Sequence, residues 1–310
     1  MMFHEDHAAQ VFYQPGTADY LVITFSELMM QADGRRFWGG EPLQRLGVPA
    51  LGFVAKRKRW FSDEFMRRSL EASLPKLEGH GHRITYGFSM GAYGAIRHAA
   101  RLGARTAIAC SPQWTIDPAQ LVGQHQPFAE HFREDKHKGM ELNSFPADGR
   151  LYLFHDPHDR HDAWHAARIR EHIAQTVLIG MPFVGHGSVR PFSSTPLVAA
   201  LIEAARSHDD ELVRRVARHA RRANPSRPFL LASHLRTGQF DRGAALLRRA
   251  PSKGAAHTQA LVWLQYAQQA QAKGRAIEAC EMAERAILLA QGQGRVSAMA
   301  AEIRSVLQGM

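Results

Sequence analysis

Six short apolar runs, each separated from the next by polar or helix-like sequence, limit what the first two hundred residues can become. They are "YLVITF" (20 to 25), "VPALGFV" (48 to 54), "RITYG" (83 to 87), "RTAIAC" (105 to 110), "RLYLF" (150 to 154) and "TVLIGMPFV" (176 to 184). Each has the length of a strand, and several are rich in β-branched residues. Helical character lies between them, in "DEFMRRSLEASLPKL" behind Ser62 as N-cap, in "MGAYGAIRHAARLG" closing at Gly103, and in "DAWHAARIREHIAQ". Alternation of this kind implies parallel strands joined by crossover helices. The predicted class is therefore α/β, a mainly parallel sheet flanked by helices. The stretch 113–148 lacks a strand pattern and reads as a small lid inserted after the strand ending at Cys110.

Composition changes near Ser207. Beyond it the chain is rich in Ala, Arg, Leu and Gln with no convincing strand, so two domains are expected, 1–206 and a smaller all-helical 207–310. A weak repeat runs through the second part: Gly238, Leu247 and Ala250 recur as Gly274, Ala283 and Ala286, an offset of 36. Tetratricopeptide helix pairs repeat at about 34 residues, and Trp263, Gly274, Ala279 and Ala286 stand at spacings like that motif's Trp, Gly and Ala positions. Small residues also recur wherever paired helices approach closely, so an ordinary helical hairpin bundle fits the same pattern. A protein partner or a second copy of the chain is the expected use of such a tail.

With 310 residues, 45% of them apolar, the chain can bury a large core. No run is long and apolar enough for a secretory h-region or a bilayer span, which predicts a cytoplasmic protein without a membrane partner. Cys110 and Cys280 are too few and too far apart for a disulfide framework or a zinc pattern. The formal charge of +10 is concentrated beyond residue 210, in "RRVARHARRANPSRPF" and "LLRRA". A solvated helical face explains it, and no nucleic-acid motif accompanies it.

The pentapeptide Gly87, Phe88, Ser89, Met90, Gly91 sits where a predicted strand meets a predicted helix. A nucleophile elbow requires that setting: the serine takes a strained backbone conformation, and its neighbours must be small to clear the adjacent strand and helix. Serine needs a base to take its proton, and the base needs a carboxylate to orient it. Among 18 histidines, His186 is distinguished by its Gly-flanked loop directly after the last predicted strand. For the acid, "LYLFHDPHDRHDAWH" offers Asp156, Asp159 and Asp162 beyond one strand. A carboxylate from the loop a few residues past the strand end favours Asp159, with Asp156 second. The same segment carries His155, His158, His161 and His165, candidate metal ligands, but a catalytic carboxylate among solvated neighbours accounts for it without a metal. The oxyanion would be met by the backbone N–H of Met90 and by that of Ser26 or Glu27 in the turn after "YLVITF".

With "GFSMG" as elbow, "HDPHD" as acid loop and "GHGS" as histidine loop, the chain resembles the α/β-hydrolase superfamily over about Ala18 to Ser207. The resemblance implies a Ser89, Asp159, His186 triad acting through an acyl-enzyme, with no cofactor. It departs from the usual pattern in two places. Only 17 residues precede the first clear strand, too few for the customary opening hairpin, so "VFYQP" is expected to supply one strand of it and the sheet to be smaller than usual. The helical tail is the other departure.

"KRKRW", Lys56, Arg57, Lys58, Arg59 and Trp60, follows a strand whose carboxyl end should face the active site. Such a run would attract an anionic substrate, for instance a phosphorylated, acidic-sugar or coenzyme A ester, and it reads equally well as a solvated basic loop. The leading expectation is a serine hydrolase acting on a small ester or thioester. An acyltransferase of the same fold and a non-catalytic scaffold using the helical tail are the alternatives.

Overall fold

The computed structural model describes residues 1–250, 256–291 and 294–308. Its strands are β1 (Met2–Glu5), β2 (Ala9–Gln14), β3 (Tyr20–Phe25), β4 (Ala50–Ala55), β5 (His82–Phe88), β6 (Thr106–Cys110), β7 (Arg150–His155) and β8 (Thr176–Gly180). They form one eight-stranded sheet in the order β1-β2-β4-β3-β5-β6-β7-β8. The pairs β1–β2 and β2–β4 are antiparallel, and every pairing from β4 to β8 is parallel. The helices of this part are α1 (Gly40–Arg45), α2 (Asp63–Ser73), α3 (Met90–Arg97), α4 (Glu134–His137), α5 (Arg160–His172), α6 (Thr195–Arg206) and α7 (Asp210–Ala223).

The expectation of a reduced sheet does not hold. β1 and β2 fit inside the first 14 residues because the connection between them is a tight turn, closed by the Asp6 carboxylate accepting from the amides of Ala8 and Ala9. Their sequence hides them: β1 is only four residues of half-exposed edge with no apolar run.

Period-two alternation within the strands builds two cores. Leu21, Ile23 and Phe25 of β3 face one side with Leu51 and Phe53 of β4 and Leu151 and Leu153 of β7, where α2, α3 and α5 cover them. Tyr20, Val22, Ile108, Tyr152 and Phe154 face the other side, beneath α1, α6 and α7. Both faces are covered, which is why the central strands read as continuous apolar runs.

The chain has two compact units, Met1–Ala220 and Arg221–Met310, and the first extends past the expected boundary at 206. Helix α7 accounts for the difference. Its Val213, Ala217 and Ala220 enter the sheet's second core, and its Asp210 is gripped by the Arg150 guanidinium (2.6 Å) and the Tyr152 hydroxyl (3.0 Å). Arg215, Arg218 and Arg222 lie on its exposed face, the solvated arrangement expected of that basic run.

The second unit contains α8 (Arg227–Leu235), α9 (Phe240–Arg249), α10 (Ala256–Ala272), α11 (Ala276–Leu289) and α12 (Gly294–Gln308). Helices α9 and α11 begin at Phe240 and Ala276, the same offset as the sequence repeat, and Leu247, Trp263, Ala279, Ala283 and Ala286 are buried in its core. Gly243 permits the closest approach there. A Cβ at that position would lie 1.8 Å from the Tyr266 hydroxyl, which donates to the Ala232 carbonyl at 2.7 Å.

Two buried histidines tie stability to pH. Burial pushes His98 down from an ordinary 6.5 to about 4 and His165 down to about 3, so both are neutral in the folded chain. The unfolded chain takes up protons at these rings below 6.5, so their contribution is whole above 6.5 and is lost as pH falls toward 4. Asp162, also lowered, loses its contribution only below the ordinary 3.8 of an aspartate, outside that window. Urea unfolding of His98→Gln should therefore show a shallower loss of stability between pH 6.5 and 4 than the native chain, by up to one proton's worth, about 1.4 kcal/mol per pH unit. Equal slopes would contradict the neutral burial of His98.

Candidate active site

Ser89 lies on the turn between β5 and α3 with φ 53° and ψ −122°, a conformation that non-glycine residues rarely hold. The flanking glycines explain how the turn closes. A Cβ on Gly87 would sit 2.2 Å from the Gly91 carbonyl oxygen, and one on Gly91 would sit 2.3 Å from that of Phe25. The turn lifts Ser89 onto the carboxyl rim of the sheet, where its Oγ lies 2.9 Å from His186 Nε2.

His186 comes from the loop after β8, which four hydrogen bonds hold. The Gly185 amide donates to Asp156 Oδ2 at 2.7 Å. The Ser188 hydroxyl donates to the Phe154 carbonyl at 3.2 Å and meets the Ser111 hydroxyl at 2.8 Å. His186 Nδ1 donates to Asp162 Oδ1 at 2.8 Å. With Nδ1 protonated, Nε2 carries the lone pair that accepts from Ser89.

The three aspartates after β7 thus divide the labour differently from expectation. Asp159, expected to be the acid, is the N-cap of α5: its Oδ1 accepts from the amides of His161 and Asp162, each at 3.1 Å. Asp156 holds Gly185 and the His158 amide. The carboxylate that reaches His186 is Asp162, at the third position of α5, with its side chain 1% exposed. Burial alone would raise its pKa. The neighbouring His161 ring, with Nδ1 3.6 Å away, and the hydrogen bond from His186 together outweigh burial and hold the carboxyl well below the usual range. The amide dipoles of the first helical turn favour the anion as well. The sequence did contain a signal for this: an Asp capping a helix is committed to backbone amides, which leaves the carboxylate three residues on free to act.

Met90 is the first residue of α3, where an amide has no acceptor within the helix. Ser26, the other named oxyanion candidate, is not available. Its amide donates to the Phe53 carbonyl at 2.9 Å and its Oγ accepts from the Ala55 amide at 3.0 Å, because it continues the ladder of β3 by one residue.

A cavity of about 320 Å³ opens beside Met90, between the turn Leu28–Ala32 and the residues Lys56, Arg57 and Lys58. Lys56 is bound to Glu5 Oε1 at 2.8 Å and to the Asp6 carbonyl at 3.1 Å. Arg57 and Lys58 are exposed on the cavity rim. Arg59 faces a separate cavity of about 130 Å³ with His7, Glu64 and Lys136. Trp60 departs from its expected place at the substrate surface. At φ 47° it turns inward, is 1% exposed, stacks on His131 and meets the tilted ring of Phe128. Turning inward buries an indole that the basic residues before it would otherwise leave in water.

The stretch 113–148 contributes Trp114, Ile116 and Leu142 to the core, and it carries Phe128 to 6.2 Å from the His186 ring. Among the described residues, no three His, Cys, Asp or Glu side chains converge in a way that could hold a metal ion.

The sheet order, the crossing helices and the strained serine turn define the α/β-hydrolase fold. No protein-family model matches the sequence, and a comparison with curated proteins finds no match. Several solved structures are similar. The capsule O-acetyltransferase of Neisseria meningitidis serogroup A is 12% identical, with TM-score 0.45, over 69% of this chain and 92% of that one. A Pyrococcus furiosus esterase is 14% identical, with TM-score 0.41, over 69% of this chain and 90% of its own. The mouse alpha/beta hydrolase domain-containing protein 10 is 13% identical, with TM-score 0.39, over 58% and 87%.

Proposed function

We propose that the unit Met1–Ala220 cleaves an ester or thioester through an acyl-enzyme on Ser89. The observation that carries this reading is the unbroken line of contacts from Ser89 Oγ to His186 (2.9 Å) and on to Asp162 (2.8 Å). As Oγ attacks the carbonyl carbon, its proton passes to His186 Nε2. The new negative charge on the carbonyl oxygen is met by the Met90 N–H and by the N–H of Glu27, the residue that follows Ser26. Collapse of the tetrahedral species breaks the bond to the leaving group, which takes the proton from His186 and departs. The second step runs the same sequence with water, or with an acceptor hydroxyl in the transferase variant. Asp162 stays ionised throughout and balances the imidazolium.

The rim cations Arg57 and Lys58 favour an acyl ester bearing an anionic group, seated in the cavity beside Met90. The helical unit, with its 36-residue offset between α9 and α11, is read as a tetratricopeptide-like surface for a protein partner. Among the described residues no helix is long and apolar enough to cross a membrane.

One experiment tests both parts of the catalytic reading. A neutral butyrate ester and a hemisuccinate ester with the same leaving group are offered to the native chain and to Ser89→Ala. Turnover by the native chain alone supports the nucleophile, and a preference for the hemisuccinate that fades with added salt supports the cationic rim. Equal rates from both chains would overturn the first, and indifference to charge the second.

A further inference from the structure

Behind Asp162 lies a second line of histidines that the steps above do not use. The Trp114 backbone amide lies 3.1 Å from His165 Nδ1. An amide N–H can only donate, so Nδ1 of His165 is the acceptor and, in the neutral ring, Nε2 carries the proton. His165 is 1% exposed, and burial, reinforced by the neighbouring His161, pushes it down to about 3, so the ring stays neutral. Its Nε2–H points at His161 Nε2, 3.1 Å away. That contact takes the lone pair of His161 Nε2 and leaves the proton of a neutral His161 on Nδ1. Nδ1 of His161 in turn lies 3.6 Å from Asp162 Oδ1, the oxygen that His186 holds from the other side.

We propose that His161, fixed in its Nδ1–H tautomer by His165, is a positioning residue that holds Asp162 for His186. The inference rests on the triad reading for its consequence, though not for its geometry. One backbone amide at Trp114 sets the tautomer of two successive rings, and the direction of every donor then points toward Asp162. Without a donor on that side, Asp162 Oδ1 would keep only its 2.8 Å bond to His186, and rotation about the Cβ–Cγ bond would present either oxygen to the imidazole. The rings of Phe128 (5.9 Å) and His125 (6.1 Å) cover His161 from the 113–148 stretch. Trp164 lies against His165 at 5.0 Å, with the Arg168 guanidinium over that indole. The charged and titratable groups around the pair include His125, His186, Asp159, Asp162 and Arg168.

Two readouts test the proposal. In the native chain with ¹⁵N-labelled histidine, imidazole nitrogen shifts at pH 7 should report His165 as the Nε2–H tautomer and His161 as the Nδ1–H tautomer. The opposite tautomer at His161, or a protonated His165, would overturn it whether or not the protein is an enzyme. On the kinetic side, His161→Phe keeps a ring and loses the donor, whereas His161→Asn places an N–H close to the native Nδ1. Ester turnover should show kcat about tenfold lower with KM unchanged in His161→Phe, and recovery to within about threefold of native in His161→Asn. Equal loss in both variants, or no loss in either, would assign His161 a packing role and contradict the proposal. A native chain that turns over no ester would instead count against the triad reading, and the tautomers would still decide the inference.

Discussion

Ser89→Ala should lower kcat/KM for an activated ester by about 10⁴-fold or more while leaving the fold intact. The size follows from what is removed: without Oγ no acyl-enzyme forms, and residual turnover comes from the oxyanion donors and binding alone. Stability should change little, because alanine and serine bear the same strain at φ 53° and the lost hydroxyl contact was with a side chain at the rim. Circular dichroism and urea unfolding of the variant check that second point. A variant that retains more than a tenth of native turnover would place the nucleophile elsewhere.

Asp162→Asn should be nearly as damaging, with kcat down about 10³- to 10⁴-fold, and Asp159→Asn should cost less than about threefold. The two substitutions make the same chemical change three residues apart. At 162 the amide can donate to His186 Nδ1, which would then shift its proton to Nε2 and lose the lone pair facing Ser89. At 159 asparagine caps a helix as well as aspartate does, so the amides of His161 and Asp162 keep their acceptor. The reverse ranking would restore Asp159 as the acid and remove the basis for the relay through His161.

Much of the architecture could be read from the chain because covered parallel strands have a distinctive pattern. "YLVITF" is β3 residue for residue, and "RTAIAC" and "RLYLF" each coincide with β6 and β7 to within one residue. Ser89 was legible because the Gly87 and Gly91 spacing has a steric cause, and His186 because only one histidine sits in a glycine-flanked loop after the last strand. What escaped had weaker local signals. The edge strand β1 has no apolar run, and α7 looks like part of a basic helical tail until its Val213, Ala217 and Ala220 are seen beneath the sheet. Asp162 stood among the three candidate aspartates but behind Asp159 and Asp156, because the choice depends on where α5 starts, and helix starts are among the least certain features of a sequence. Trp60 was misplaced because the four residues before it are all cationic and nothing local records that the backbone turns inward there.

Reaction with a fluorophosphonate, followed by peptide mapping by mass spectrometry, addresses the convergence of Ser89, His186 and Asp162 most directly. A single phosphonyl group should map to the peptide containing Ser89, with none on Ser89→Ala and slowed addition on Asp162→Asn. An adduct on any other residue, or equal labelling of native and Ser89→Ala chains, would contradict the assignment of Ser89 as the nucleophile.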